Sequence, residues 1–207
     1  MTLRVVNPFD QSLVVELAYD EPREVERKLT AAVEAQRAWR RLPLEERARQ
    51  VQSGLDRLRA VGDEVARNVT LQMGKPLKQA RGELETLFDR AKQSLADAPT
   101  ALAADILPEK PNFVRRIEHE PLGVVFDIAA WNYPLIIPIN VIVPALLAGN
   151  SVLLKHSGKT PLVGQALADA FGSLDTPGLV ANLILSHADT ERLIADPRVA
   201  HVSFTGS

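Results

Sequence analysis

The spacing of hydrophobic positions divides the chain into regions of different texture. Residues 3–19 hold two short apolar runs, Leu3–Val6 and Leu13–Leu17, separated by the turn formers Asn-Pro-Phe-Asp-Gln-Ser. They predict a hairpin or a pair of edge strands. From Glu21 to Asp97 the period becomes helical. Asp20 followed by Pro22 marks a helix start, and Val25, Leu29, Ala32, Val33 and Trp39 recur at three- and four-residue intervals. Pro43 opens a second helix with Ala48, Val51, Leu55 and Leu58 on one face, which Gly62-Asp63 interrupts. Val65, Val69 and Met73 carry the pattern to Gly74, a C-cap with Pro76 just beyond. A long helix over about 77–95 turns Ala80, Leu84, Leu87, Phe88 and Ala91 inward, and the charges of this whole region read as the solvated face of amphipathic helices.

Between residues 99 and 121 the pattern breaks. Pro99, Pro108, Pro111 and Pro121 frame a β-type segment, Asn112–Glu118, which reads either as an arm carrying subunit contacts or as a plain surface hairpin. From Leu122 onward short apolar strands alternate with helical segments. Gly123–Ala129 is a continuous apolar run, as in a buried parallel sheet, and an apolar segment over 135–147 ends at the Gly149-Asn150 stop. Ser151–Leu154, Leu179–Leu185 and His201–Thr205 read as further strands, with helices after Thr160-Pro161 and over Asp189–Ile194. This succession predicts an α/β fold with a parallel sheet, preceded by a helical part over 1–98 and the excursion over 99–121. Ligands on such sheets sit beyond the carboxyl ends of the strands. Those ends carry Ala130-Trp131-Asn132, Lys155-His156-Ser157, Ser186-His187-Ala188 and Gly206-Ser207, so one crevice is expected to collect them.

Composition narrows the chemistry. The chain has 207 residues, a formal charge of -2 and 46% hydrophobic residues, which offers no electrostatic case for a nucleic-acid partner. There is no cysteine, so no disulfide, thiolate nucleophile or Cys-based metal site lies within it. The histidines His119, His156, His187 and His201 lack metal-site spacing, and no metal is expected. Residues 1–10 have no apolar signal core, and the apolar run 134–147 is too short to span a membrane, so the default expectation is a cytoplasmic protein without a membrane partner.

The strand-end residues each admit two readings. Asn132 has a side-chain amide able to donate to an oxyanion, and equally suits an Asx turn before a helix. Lys155, after three apolar residues, needs a polar ligand such as a phosphate or ribose hydroxyl, or else snorkels to solvent. Gly206-Ser207 ends a strand in a tight turn whose amides would face a phosphate if a helix began next. Neither GxGxxG nor GxxxxGK[ST] occurs, so the common dinucleotide fingerprint and the P-loop are both unmet.

Taken in order, NP at 7–8, MGKP at 73–76, EPLGVVFDIAAWNYPL at 120–135, PALLAGNSVLLKHS at 144–157, TP at 160–161 and DPRVAHVSFTGS at 196–207 resemble the aldehyde dehydrogenase superfamily across essentially the whole chain. The resemblance implies a Rossmann-like NAD(P)-binding domain with an N-terminal helical region, and an oligomerisation arm near 99–121 that adds strands across subunits of a homo-oligomer. It implies oxidation of a small-molecule aldehyde to a carboxylic acid through a cysteine thiohemiacetal and thioester, with NAD or NADP as hydride acceptor. Asn132 would supply the oxyanion-hole amide. Lys155 would bond the adenosine ribose, with Ser157 and Gly158 beside it. Ala130 and Trp131 would lie on the nicotinamide side. Gly206 and Ser207 would open the turn that faces the pyrophosphate.

Two departures from the family pattern matter. KPSE or KPAE is usual where this chain has Lys155-His156-Ser157-Gly158, and losing that glutamate removes a charge that discourages a 2'-phosphate; Lys159 follows. NADP is therefore expected to be tolerated or preferred, and the Lys-His pair resembles a branch with some succinate-semialdehyde dehydrogenases. The family's general-base glutamate, catalytic cysteine and catalytic domain are also expected to lie outside these residues. The chain thus reads as an N-terminal portion of such an enzyme, inactive alone, or as a split or truncated relative acting as a non-catalytic nucleotide-binding or structural partner.

Overall fold

The computed structural model describes residues 2–172 and 174–206. Strands β1 (Thr2–Val6) and β2 (Leu13–Ala18) form an antiparallel hairpin. Four helices follow: α1 (Pro22–Trp39), α2 (Leu44–Ala60), α3 (Gly62–Met73) and α4 (Leu77–Ala101). A small antiparallel ladder of β3 (Asp105–Ile106) and β4 (Arg116–Ile117) stands out from the body. The remainder alternates: β5 (Val124–Ile128), α5 (Ile136–Leu147), β6 (Ser151–Lys155), α6 (Pro161–Gly172), β7 (Val180–Asn182), α7 (His187–Ile194) and β8 (Val199–Phe204).

These last strands form a four-stranded parallel sheet in the order β7-β6-β5-β8. The chain moves outward from β5 to β7, then returns to place β8 on the other side of β5. The switch point therefore lies between the carboxyl ends of β5 and β8, where doubly wound sheets bind ligands. This is the parallel-sheet α/β architecture that the strand–helix succession predicts, and the Rossmann-like fold that the resemblance implies.

Both sheet faces are covered, as the continuous apolar strands require. The strand alternation of period two sends Val124, Phe126 and Ile128 to one side, where they pack with Leu29, Ala32, Leu153, Leu183 and Leu193 from α1, α7 and neighbouring strands. Val125, Ala129, Val152 and Leu154 face the larger cluster built from α2 to α6. Helix α1 also closes the far end of α5. Trp39 Nε1 donates to the Leu146 carbonyl at 2.7 Å, and Gln36 Nε2 to that of Gly149 at 3.1 Å. Gly149 takes a left-handed φ of 90°, so that Asn150 N reaches the Ala145 carbonyl (2.9 Å) and Gly149 N that of Leu146 (3.0 Å), a Schellman stop.

Several local boundaries differ from the sequence expectation. Helix α4 continues through Pro99 to Ala101. A proline near a helix end removes a single intrahelical bond, and burial of Ala98 holds the last turn in place. The third strand is confined to Val180–Asn182, and only Arg116–Ile117 of the predicted segment Asn112–Glu118 enters a ladder. Asp20 does not cap α1. Its carboxylate holds Lys28 (3.0 and 2.9 Å) and accepts from Ile184 N (3.0 Å), while Lys28 also donates to the Asn182 carbonyl (2.9 Å), latching α1 to the end of β7. Among the described residues, no helix is long and apolar enough to cross a membrane.

Candidate active site

The carboxyl ends of β5, β6 and β8 open into a cavity of 510 Å³ lined by Ile128–Asn132, Lys155, Ser157, His187 and Phe204–Gly206. The fold thus brings Ala130, Trp131, Asn132, Lys155, Ser157 and Gly206 to one place. Gly158 lies in an adjoining cavity of 340 Å³, walled by Leu3, Tyr19, His156, Ile184–Ser186 and again by Lys155 and His187. Ser207 lies outside the described residues. Lys155 sits where the two cavities meet, a divided space suited to an extended ligand.

Lys155 ends β6 half-buried, and its ammonium has no hydrogen-bond or ion-pair partner among the described residues. Burial pushes its pKa below the ordinary lysine value. A desolvated, unpartnered ammonium at a strand end calls for an acceptor from a ligand. Lys159, one residue beyond Gly158, lies 4.3 Å over the exposed Trp131 ring. Among the described residues no carboxylate lines either cavity, so the cluster favours an anionic or hydroxyl-rich ligand. A side chain at position 158 would bring its Cβ to 3.1 Å from Leu3 Cδ1, so the N-terminal hairpin crowds this position.

Asn132 lies exposed at the turn that follows β5. Its Oδ1 accepts from the adjacent Tyr133 N at 3.1 Å, one residue short of the span of an Asx turn. Its amide nitrogen makes no bond within the described residues, so the donor is free for a ligand oxygen in the crevice. The turn itself is anchored from three directions. Lys75 Nζ donates to the Asn132 carbonyl at 2.9 Å and pairs closely with the Glu83 carboxylate. Glu83 Oε1 accepts from Leu135 N (2.8 Å) and Ile136 N (3.3 Å), capping α5 from outside. His156 Nε2 lies 2.8 Å from the Pro134 carbonyl.

That last contact fixes the histidine tautomer. A carbonyl only accepts, so Nε2 carries the proton, and the Thr160 hydroxyl donates to Nδ1 at 3.0 Å. Burial pushes the imidazole pKa down to about 4, which keeps the ring neutral. One strand position before Ile128, Asp127 is 1% exposed with Oδ2 unpartnered, and burial pushes its pKa up to about 8.

The sequence reading placed His156 and His187 at the crevice without a specific role, and gave no site role to Lys75, Glu83, Leu3 or Tyr19. Glu83 in particular reads there as one of many solvated helical charges, whereas it is 5% exposed. Its position one residue before Leu84, on the inward stripe of α4, was the available signal.

Comparison with known proteins shows the family and the fold. Residues 1–207 match the family model described as the Aldehyde dehydrogenase family. A 3,6-anhydro-alpha-L-galactose dehydrogenase of Streptomyces coelicolor is 38% identical over 211 residues, spanning 100% of this chain and 42% of the relative. A succinate-semialdehyde dehydrogenase [NADP(+)] of Deinococcus radiodurans is 36% identical, over 98% of this chain and 42% of its own length. The solved structure of PnpE in complex with nicotinamide adenine dinucleotide superposes with a TM-score of 0.92 at 29% identity, over 100% of this chain and 43% of that one. This chain spans less than half the length of each.

Proposed function

The chain belongs to the aldehyde dehydrogenase family, and on that premise we propose that it builds the dinucleotide-facing part of an NAD(P)-dependent aldehyde-oxidising site. The carrying observation is Lys155, half-buried without a partner at the junction of two cavities beyond the parallel sheet. Lys155 would hold the ribose hydroxyls of the dinucleotide, Ser157 and Gly158 would flank them, and Trp131 and Ala130 would border the nicotinamide. Gly206 begins the turn that would face the pyrophosphate.

When bound, the nicotinamide supplies a hydride acceptor. This chain's own contribution to the chemistry is the Asn132 amide, which would donate to the aldehyde oxygen as negative charge develops on it. Oriented by the Tyr133 N–H on its carbonyl, that amide is preset to donate rather than accept. No cysteine occurs in the 207 residues, so the thiolate nucleophile used by this family is not among them. The 2'-phosphate of NADP would meet Lys155 and Lys159 with no opposing carboxylate among the described residues, and the Deinococcus relative, a succinate-semialdehyde dehydrogenase [NADP(+)], supports that preference. The exposed apolar residues of the 105–117 arm support its reading as a subunit contact in a homo-oligomer.

Aldehyde-dependent NADP reduction by the full polypeptide tests this reading. Loss of roughly 100- to 1,000-fold in kcat on Asn132→Ala is expected for a removed oxyanion donor. Unchanged kcat would remove Asn132 from the mechanism. A second reading is a dinucleotide-binding partner without turnover. Dinucleotide binding with no aldehyde-dependent reduction would select it.

A further inference from the structure

We infer that Lys75 and Glu83 are positioning residues that set the Asn132 amide, joining the α3–α4 segment to the chemistry of the crevice. The inference rests on the reading of Asn132 as an oxyanion donor. Lys75 follows the left-handed Gly74 that ends α3, and Glu83 lies in the second turn of α4, on its inward face. Neither lines the crevice.

The pair is built rather than incidental. Its side chains are 11% and 3% exposed, and the two charges are in close contact. A buried ion pair needs its remaining donors and acceptors satisfied, and all of these bonds go to one five-residue stretch, 132–136. Lys75 Nζ donates to the Asn132 carbonyl and lies 4.5 Å over the Tyr133 ring. Glu83 Oε1 accepts from the Leu135 and Ile136 N–H groups, with its other oxygen on Lys75.

The backbone of Asn132 is thereby held from its carbonyl, and the helix that follows from its first free amides. The Asn132 side chain is exposed, with a single bond to Tyr133 N, so the backbone hold fixes where its amide lies. Pre-set donors are effective because they need no reorganisation as charge develops. A misplacement of about 1 Å costs up to roughly 100-fold in rate. The other two anchors, His156 on Pro134 and the Tyr133 N–H, act on the same turn but leave the Asn132 carbonyl free.

The test removes the pair without stranding a buried charge, using Lys75→Met with Glu83→Gln in the full polypeptide. Glutamine keeps an acceptor for Leu135 and Ile136, and Glu83→Gln alone is the milder variant, read in the same way. The double variant is expected to keep its KM for NADP, lose between roughly ten- and 100-fold in kcat, and show faster hydrogen exchange over 132–136 with β5 and β6 unchanged. Added to Asn132→Ala it should cost nothing further, because it acts through that amide. Wild-type exchange over 132–136, or a loss that multiplies with that of Asn132→Ala, overturns the proposal. An Asn132→Ala variant with wild-type kcat is a different failure: it removes the oxyanion reading while the exchange result still reports on the hold.

Discussion

The turn over 131–136 and the arm over 105–117 both leave the body of the molecule with aromatic residues facing out, and they are held in opposite ways. Trp131 and Tyr133 are exposed, yet the backbone between and after them is tied to α4, to Lys75 and to a buried histidine. The arm exposes Ile106, Phe113, Val114 and Ile117, and is held by a ladder of two residue pairs plus surface contacts such as Arg115 to the Pro108 carbonyl at 2.5 Å. Exposed contacts of this kind contribute little, whereas a buried, satisfied network fixes one geometry. An anchored, exposed turn is what a small-ligand site requires. A weakly held apolar arm is what a surface awaiting a second surface looks like.

The largest effect that would sharpen this contrast comes from Glu83→Ala. It strands Lys75 and frees the Leu135 and Ile136 amides, and should lower stability by about 3–5 kcal/mol in urea melts. A loss comparable to that of a surface substitution would mean that the turn does not depend on the pair.

Next is the pH dependence, where two buried groups act in opposite directions. His156 has its pKa lowered from 6.5 to about 4, so its stabilisation is complete above pH 6.5 and is lost as pH falls towards 4. Asp127 has its pKa raised from 3.8 to about 8, so its stabilisation is complete below 3.8 and is lost as pH rises towards 8. Between pH 4 and 6.5 the two nearly offset, and the wild-type profile should be flat as far as these groups set it. Asp127→Asn unmasks the histidine: stability should then fall by about 3 kcal/mol between pH 6.5 and 4. The same variant should remove a decline of about 2 kcal/mol between pH 6.5 and 8 that the wild type shows. A flat profile in Asp127→Asn below pH 6.5 would show that the imidazole is not held neutral against Pro134.

The smallest stability effect is expected in the arm. Val114→Ser and Phe113→Ser should each change stability by less than about 0.5 kcal/mol, since neither side chain is buried. Sedimentation should nonetheless shift towards smaller species if the arm contacts a second subunit. An unaltered distribution would return the segment to a plain surface hairpin.

Much of this was legible from residue spacing. The helical period over 21–97 buried the apolar stripes it marked, and Gly149-Asn150 ended α5 as a glycine stop should. The strand ends that carry Ala130, Asn132, Lys155 and Gly206 converge because parallel strands place all their carboxyl ends on one side. What stayed hidden depends on contacts distant in sequence. Asp20 looks like a helix start, but its partners Lys28 and Ile184 put it to use as a latch. Glu83 looks like a solvated charge because its partners lie 8 and 52 residues away. His156 occupies a position where a proline is usual, and local pattern cannot say that Pro134, 22 residues earlier, supplies its acceptor. Proximity of Leu3 to Gly158 likewise follows from how the first hairpin folds back, which no periodicity records.

The central claim is that the paired cavities around Lys155 receive a dinucleotide, and a titration of tryptophan emission reads it directly. Trp131 borders the crevice and Trp39 is fully buried, so NADP should quench a component that Trp131→Phe abolishes. Lys155→Met should then weaken NADP binding by roughly tenfold or more, the order expected when a charge-assisted hydrogen bond is lost. Quenching with the same midpoint in Lys155→Met, or no response of Trp131 to either NADP or NAD, would contradict it.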